Sequence, residues 1–221
     1  MTFKRKLSPT ERFYISCDDF NAEETATCVA NQMVLEGIGN IDICAWQQAV
    51  VKASAVLQGT RFKLAGKLGF SHWADAGQTT VLEVIRGLNW DGMSDKLAPF
   101  LNRPLDVKTS TGCEVLLVLG ERNDKHHIIF RTHHAVMDGR GTKTFADEVL
   151  RALRQQSLRG DNSFVRDIDL AKSVTSIPGE KITDTVAAPT GVPAGQDFGS
   201  SWQRRTLPGG YKQILANAGI S

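Results

Sequence analysis

Apolar and polar positions change period several times along the chain, and the changes mark out alternating helices and strands. Ser8, Pro9 and Glu11 form a helix-opening signature, in which Ser8 can cap, Pro9 suits the first helical position and Glu11 can reach back to the cap. Residues 27–36 alternate as a strand with Val29, Met33 and Leu35 on one side, before Gly37 and Gly39 break it. From Asp42 the period becomes helical: Trp46, Ala49, Val50, Ala53, Val56 and Leu57 form an apolar stripe that should lie on a sheet, and Gly59 ends it. Residues 61–70 and 79–85 read as strands, and Ser94 begins a short helical segment limited by Pro99.

The clearest strands are residues 114–120 and 126–133, joined by the polar turn 121–125. Alternation in the second places His127, Ile129, Arg131 and His133 on one face, and His126, Ile128, Phe130, Thr132 and His134 on the other. If the strand persists, His133 and His134 point apart, and only one can face a reactant. Residues 141–154 follow as a helix. From 157 to 201 periodicity gives way to Asp, Ser, Thr, Pro and Gly, the pattern of a linker, after which residues 201–209 resemble a new ordered element and 211–218 regain helical spacing. The expected organisation is a lobe over 1–158, a linker or crossover over 159–200 and the start of a second lobe over 201–221.

The candidate chemistry sits where the second strand ends, in Arg131-Thr132-His133-His134-Ala135-Val136-Met137-Asp138-Gly139. Histidine titrates nearest neutrality, so an imidazole in a cleft can accept a proton from an amine or hydroxyl as that group attacks a carbonyl. Asp138 can lock the loop through an Arg or backbone N–H groups, and Gly139 permits a tight turn. His126, His127, His133, His134 and Asp138 are also metal-ligand types, but alternation spreads the histidines over both faces of a strand, so no metal site is expected.

His133-His134-Ala135-Val136-Met137-Asp138-Gly139 resembles the HHxxxDG signature of the condensation-domain and chloramphenicol-acetyltransferase-like acyltransferases. The flanks extend the match. Asn102-Arg103-Pro104-Leu105-Asp106 resembles the family's Arg-Pro-Phe-Asp-Leu element, Leu7-Ser8-Pro9-Thr10-Glu11-Arg12 its opening segment, and residues 57–62 its second conserved element. Gln58 and Gly59 stand where the family more often has Leu and Arg.

The resemblance implies an α/β lobe, a two-layer mixed sheet with flanking helices. It implies that His134 is the base, that His133 is structural, that Asp138 pairs with an Arg for which Arg61 is the candidate, and that Gly139 keeps the space beside the base clear. The implied activity is acyl transfer to an amine or alcohol from a thioester on coenzyme A or a carrier-protein phosphopantetheine arm, with no permanently bound cofactor. The Asp-x-x-x-x-Asp variant of the cyclising branch is absent, whereas epimerisation shares HHxxxDG. The alternative is a non-catalytic lobe that binds a carrier protein or partner. Because full-length members have two lobes with the active site in a tunnel between them, a second lobe is the expected partner. This chain then reads as a fragment or split protein, since a lone lobe would expose the tunnel's apolar wall.

Composition narrows the rest. The chain has 221 residues, 41% hydrophobic and 23% charged, as in folded globular proteins. A net charge of +2 gives no reason to expect nucleic acid or a membrane surface. No apolar run approaches a membrane span and the first residues lead into a helix signal, so a cytoplasmic protein is expected. Cys17, Cys28, Cys44 and Cys113 are widely spaced, and buried free thiols are the expectation. Arg140, Lys143, Arg151, Arg154 and Arg159 read as a solvated helix face, with docking of an acidic carrier protein as the alternative.

Overall fold

The computed structural model describes residues 3–18, 29–88, 90–120, 125–161, 163 and 165–173. The order is β1 (Lys4–Lys6), α1 (Pro9–Ser16), β2 (Ala30–Ile38), α2 (Ile43–Val56), β3 (Phe62–Ala65), β4 (His72–Asp75), β5 (Leu82–Ile85), β6 (Cys113–Leu119), β7 (Lys125–His133), α3 (Gly139–Leu153) and α4 (Asp167–Ser173). Four strands form a sheet in the order β2-β7-β6-β5. The β5–β6 pair is parallel and the other two pairs are antiparallel, so the sheet is mixed as expected. A second sheet, β1-β4-β3, is wholly antiparallel.

Strand β7 is buried at every residue but Lys125, because both faces of the sheet are covered. On one face the stripe of α2 (Ala49, Val50, Ala53) and the stripe of α3 (Phe145, Ala146, Val149) pack on Ile128 and Phe130. Phe130 meets Phe145 edge to face with ring centroids 5.5 Å apart. On the other face Trp90, Ala98, Phe100 and Leu101 cover Ile129, Leu116 and Val118. Side chains as completely buried as Phe130 and Phe145 each contribute roughly 1.5–3 kcal/mol.

Several boundaries differ from the sequence reading. Strand β2 runs through Gly37 to Ile38, and the turn comes at Gly39, whose φ is +104°. The strand expected over 61–70 stops at Ala65, where Gly66 (φ +84°) lets the backbone pass so close to Phe70 that a Cβ would lie 2.6 Å from its carbonyl oxygen. Pro99 opens a short 3-10 turn (Pro99–Leu101) instead of limiting a helix, since its fixed φ suits a first helical position. Within the stretch expected as a linker, Asp161 bridges to Leu57 and α4 forms at Asp167–Ser173. The expectations for residues 201–209 and 211–218, and most of the turn at 121–125, lie outside the described residues.

Candidate functional site

Strand β7, paired on both sides, delivers the motif to the end of the sheet. The His133 N–H donates to Gly112 O at 2.7 Å, continuing the pairing with β6, and the His134 N–H donates to Val29 O at 2.7 Å on the β2 side. The chain then turns: the Val136 and Met137 N–H groups both donate to His133 O, at 2.8 and 3.1 Å. Asn31 Nδ2 holds the turn from β2 by donating to Met137 O at 2.7 Å. Gly112 makes the turn possible, for a Cβ there would stand 2.6 Å from Val136 Cγ2 and 3.2 Å from His133 Cβ.

The two imidazoles have different surroundings. His133 is completely buried. Its Nδ1 accepts the Ala135 N–H at 3.0 Å, which requires the proton on Nε2, and Nε2 donates to Asp18 Oδ2 at 2.8 Å. Both nitrogens are engaged, and the ring braces the turn. His134 lines a cleft of about 530 Å³ together with Tyr14, Gln58, Met137, Asp138 and Gly141. Its ring stacks on Tyr14 with centroids 4.0 Å apart and planes 20° apart. Nδ1 is buried, and among the described residues neither ring nitrogen has a hydrogen-bond partner.

Asp138 caps α3: its Oδ1 accepts the Gly141 N–H at 2.7 Å. The expected pairing of Asp138 with Arg61 is not formed. Arg61 pairs with Asp75 at 3.1 Å and donates to Ala55 O at 2.8 Å. The register explains this, because Phe62 lies opposite Asp75 and brings the preceding Arg61 to β4, while the helix N-terminus supplies Asp138 with its donor. Gly139 also differs from the expectation of a glycine-dependent turn. It lacks a positive φ, and a Cβ there would meet nothing within 4 Å.

The Arg103-Pro104-Leu105-Asp106 element is an anchor. Arg103 bridges Glu83 and Glu114, each at 2.7 Å, and buried Arg131 bonds both Glu114 and the Arg103 carbonyl. The hydrogen bond it donates to Glu83 holds the Arg103 guanidinium even more firmly protonated than usual. Asp106 turns the chain by accepting the Lys108 N–H at 2.8 Å. Cys113, inside β6, is buried, and that burial pushes its thiol up, which disfavours the thiolate a nucleophile needs. Cys17 and Cys44 are exposed, against the expectation of buried thiols.

Tyr14 and Asp18 were not singled out by sequence reasoning. Tyr14 follows from the helical spacing of α1 only once that helix is known to cross the end of β7, and Asp18 carries no local mark.

No protein-family model matches this chain, and neither does any curated protein. Solved structures do. The X-domain from teicoplanin biosynthesis, in its complex with OxyB, superposes with a TM-score of 0.60 at 16% identity, over 76% of this chain and 37% of that one. The epimerization domain from the third module of tyrocidine synthetase B gives 0.58 at 14% identity, over 77% and 40%. The condensation domain of the monacolin K polyketide synthase MokA gives 0.55 at 13% identity, over 71% and 36%.

The chain has the fold of one part of these condensation, epimerization and X domains. It spans less than half the length of each of these proteins. Within it the HHxxxDG residues occupy the end of the central hairpin, with His134 facing the cleft. No helix among the described residues is long and apolar enough to cross a membrane.

Proposed function

We propose that this lobe supplies the histidine-bearing half of a condensation-type acyltransferase. The observation that carries the reading is the division between the two imidazoles: both nitrogens of His133 are engaged, whereas His134 has none bonded among the described residues and faces the cleft. An amine or alcohol attacks the carbonyl of an acyl thioester, and His134 Nε2 takes its proton. The new C–N or C–O bond forms, the C–S bond breaks, and the proton passes to the departing thiol. Coenzyme A or a carrier-protein phosphopantetheine arm supplies the thioester as substrate, and a second lobe closes the cleft. Cytoplasmic biosynthesis is the setting that fits. Supporting the reading are the HHxxxDG residues and the fold shared with condensation and epimerization domains.

A second reading is a partner-binding lobe that keeps the motif for its structure, favoured by the similarity to an X-domain solved in complex with OxyB. Replacing His134 by Ala in the intact two-lobe protein separates the two. Loss of acyl transfer with an unchanged melting temperature supports the base; unchanged transfer supports the partner-binding lobe.

A further inference from the structure

A catalytic imidazole must be held in one orientation, and the usual device is a hydrogen bond from the second ring nitrogen to a carboxylate or carbonyl. Among the described residues His134 has no such bond: Nδ1 is buried without a partner, and the carboxylate of the motif, Asp138, is spent on the Gly141 N–H. The backbone is pinned by the bond to Val29 O, which fixes the Cα but leaves the ring torsions free. The described contact that restricts the ring is its face. Tyr14 lies 4.0 Å away and nearly parallel, at 20°.

We propose that Tyr14 is a positioning residue which sets the His134 imidazole by ring stacking, in place of a hydrogen-bonded orienter. The inference rests on the reading of His134 as the base. The placement of Tyr14 is itself well determined. Helix α1 is held at its start by a reciprocal capping box, Ser8 Oγ accepting the Glu11 N–H at 3.2 Å and Glu11 Oε2 accepting the Ser8 N–H at 2.7 Å. Beyond its end, Asp18 receives the His133 Nε2–H at 2.8 Å. The helix is thus tied down on both sides of Tyr14, so the phenol ring forms a fixed wall. Stacking needs the aromatic face and not the hydroxyl, so phenylalanine can replace tyrosine and leucine cannot.

The experiment compares Tyr14→Phe and Tyr14→Leu in the intact protein that carries this lobe. Two signals are read: the proton shifts of the His134 ring by NMR, and transfer from an acyl N-acetylcysteamine thioester to butylamine. Tyr14→Phe is expected to keep the ring-current-shifted His134 signals and turnover within about twofold, the change at one ring contact being small. Tyr14→Leu is expected to move those signals toward the values of a free imidazole and to lower kcat on the order of 10- to 100-fold while KM changes little. His134 signals that stay in place in Tyr14→Leu would overturn the proposal, as would a Tyr14→Phe variant as impaired as Tyr14→Leu. Failure of the underlying reading has a different sign: His134→Ala then retains turnover, whatever the Tyr14 variants do to the ring signals.

Discussion

His133 and Asp18, 115 positions apart in the sequence, meet at 2.8 Å with neither side chain more than 2% exposed. The pair ties the end of α1 to the end of β7, and so fixes the turn on which His134 stands. Removing the acceptor by Asp18→Ala leaves a buried Nε2–H unsatisfied and should cost about 1–3 kcal/mol. Asp18→Asn keeps an oxygen in place and should cost less. Urea unfolding of the two variants checks the order.

Arg61 and Asp138 make a sharper case, because the family resemblance implies that they pair. They bond to different partners, Asp75 and the Gly141 N–H. A double-mutant cycle over Arg61→Ala and Asp138→Ala should therefore be additive within about 0.5 kcal/mol, with the cap alone worth about 1 kcal/mol. The cycle over Arg61→Ala and Asp75→Ala should show coupling, though a modest one, since both side chains are about one-quarter exposed at 24% and 27%.

Two glycines near the turn should behave in opposite ways. A Cβ at Gly112 would sit 2.6 Å from Val136 Cγ2 and 2.9 Å from Val107 Cγ1. Gly112→Ala should cost roughly 1–3 kcal/mol through overpacking, read as a lower Tm. At Gly139 a Cβ meets nothing within 4 Å and the backbone is already helical. Gly139→Ala should be neutral or stabilising by roughly 0.4–1 kcal/mol. If it also lowers turnover, the space beside His134 is reserved for substrate or the second lobe.

The thiols offer a test of burial. Cys113 is 5% exposed and its thiol is pushed up by desolvation, whereas Cys17 and Cys44 are exposed. Iodoacetamide at about pH 8 should label Cys17 and Cys44 in the native protein and reach Cys113 only after unfolding. Peptide mass spectrometry reads the sites directly.

Much of the lobe is legible in the sequence because its central elements are long and periodic. The alternation of β7 separates Ile129 from Phe130 onto two covered faces, and it also predicts that His133 and His134 point apart. Of the small sheet only β3 is legible. β1 and β4 have three and four residues, too few to show a period, and their core gathers residues distant in sequence, with Trp73 packing beside Leu7, Phe62 and Val107. Nor does the local sequence reveal contacts made across the fold. Asp18 and Tyr14 reach the motif because α1 crosses the end of β7, and Arg61 goes to Asp75 because of strand register.

The central claim is that His133 braces the turn while His134 does the chemistry, and turnover set against stability in His134→Ala tests it most directly. In the intact protein that carries this lobe the account predicts acyl transfer reduced on the order of 10²- to 10⁴-fold with Tm unchanged. Full turnover in that variant would contradict it.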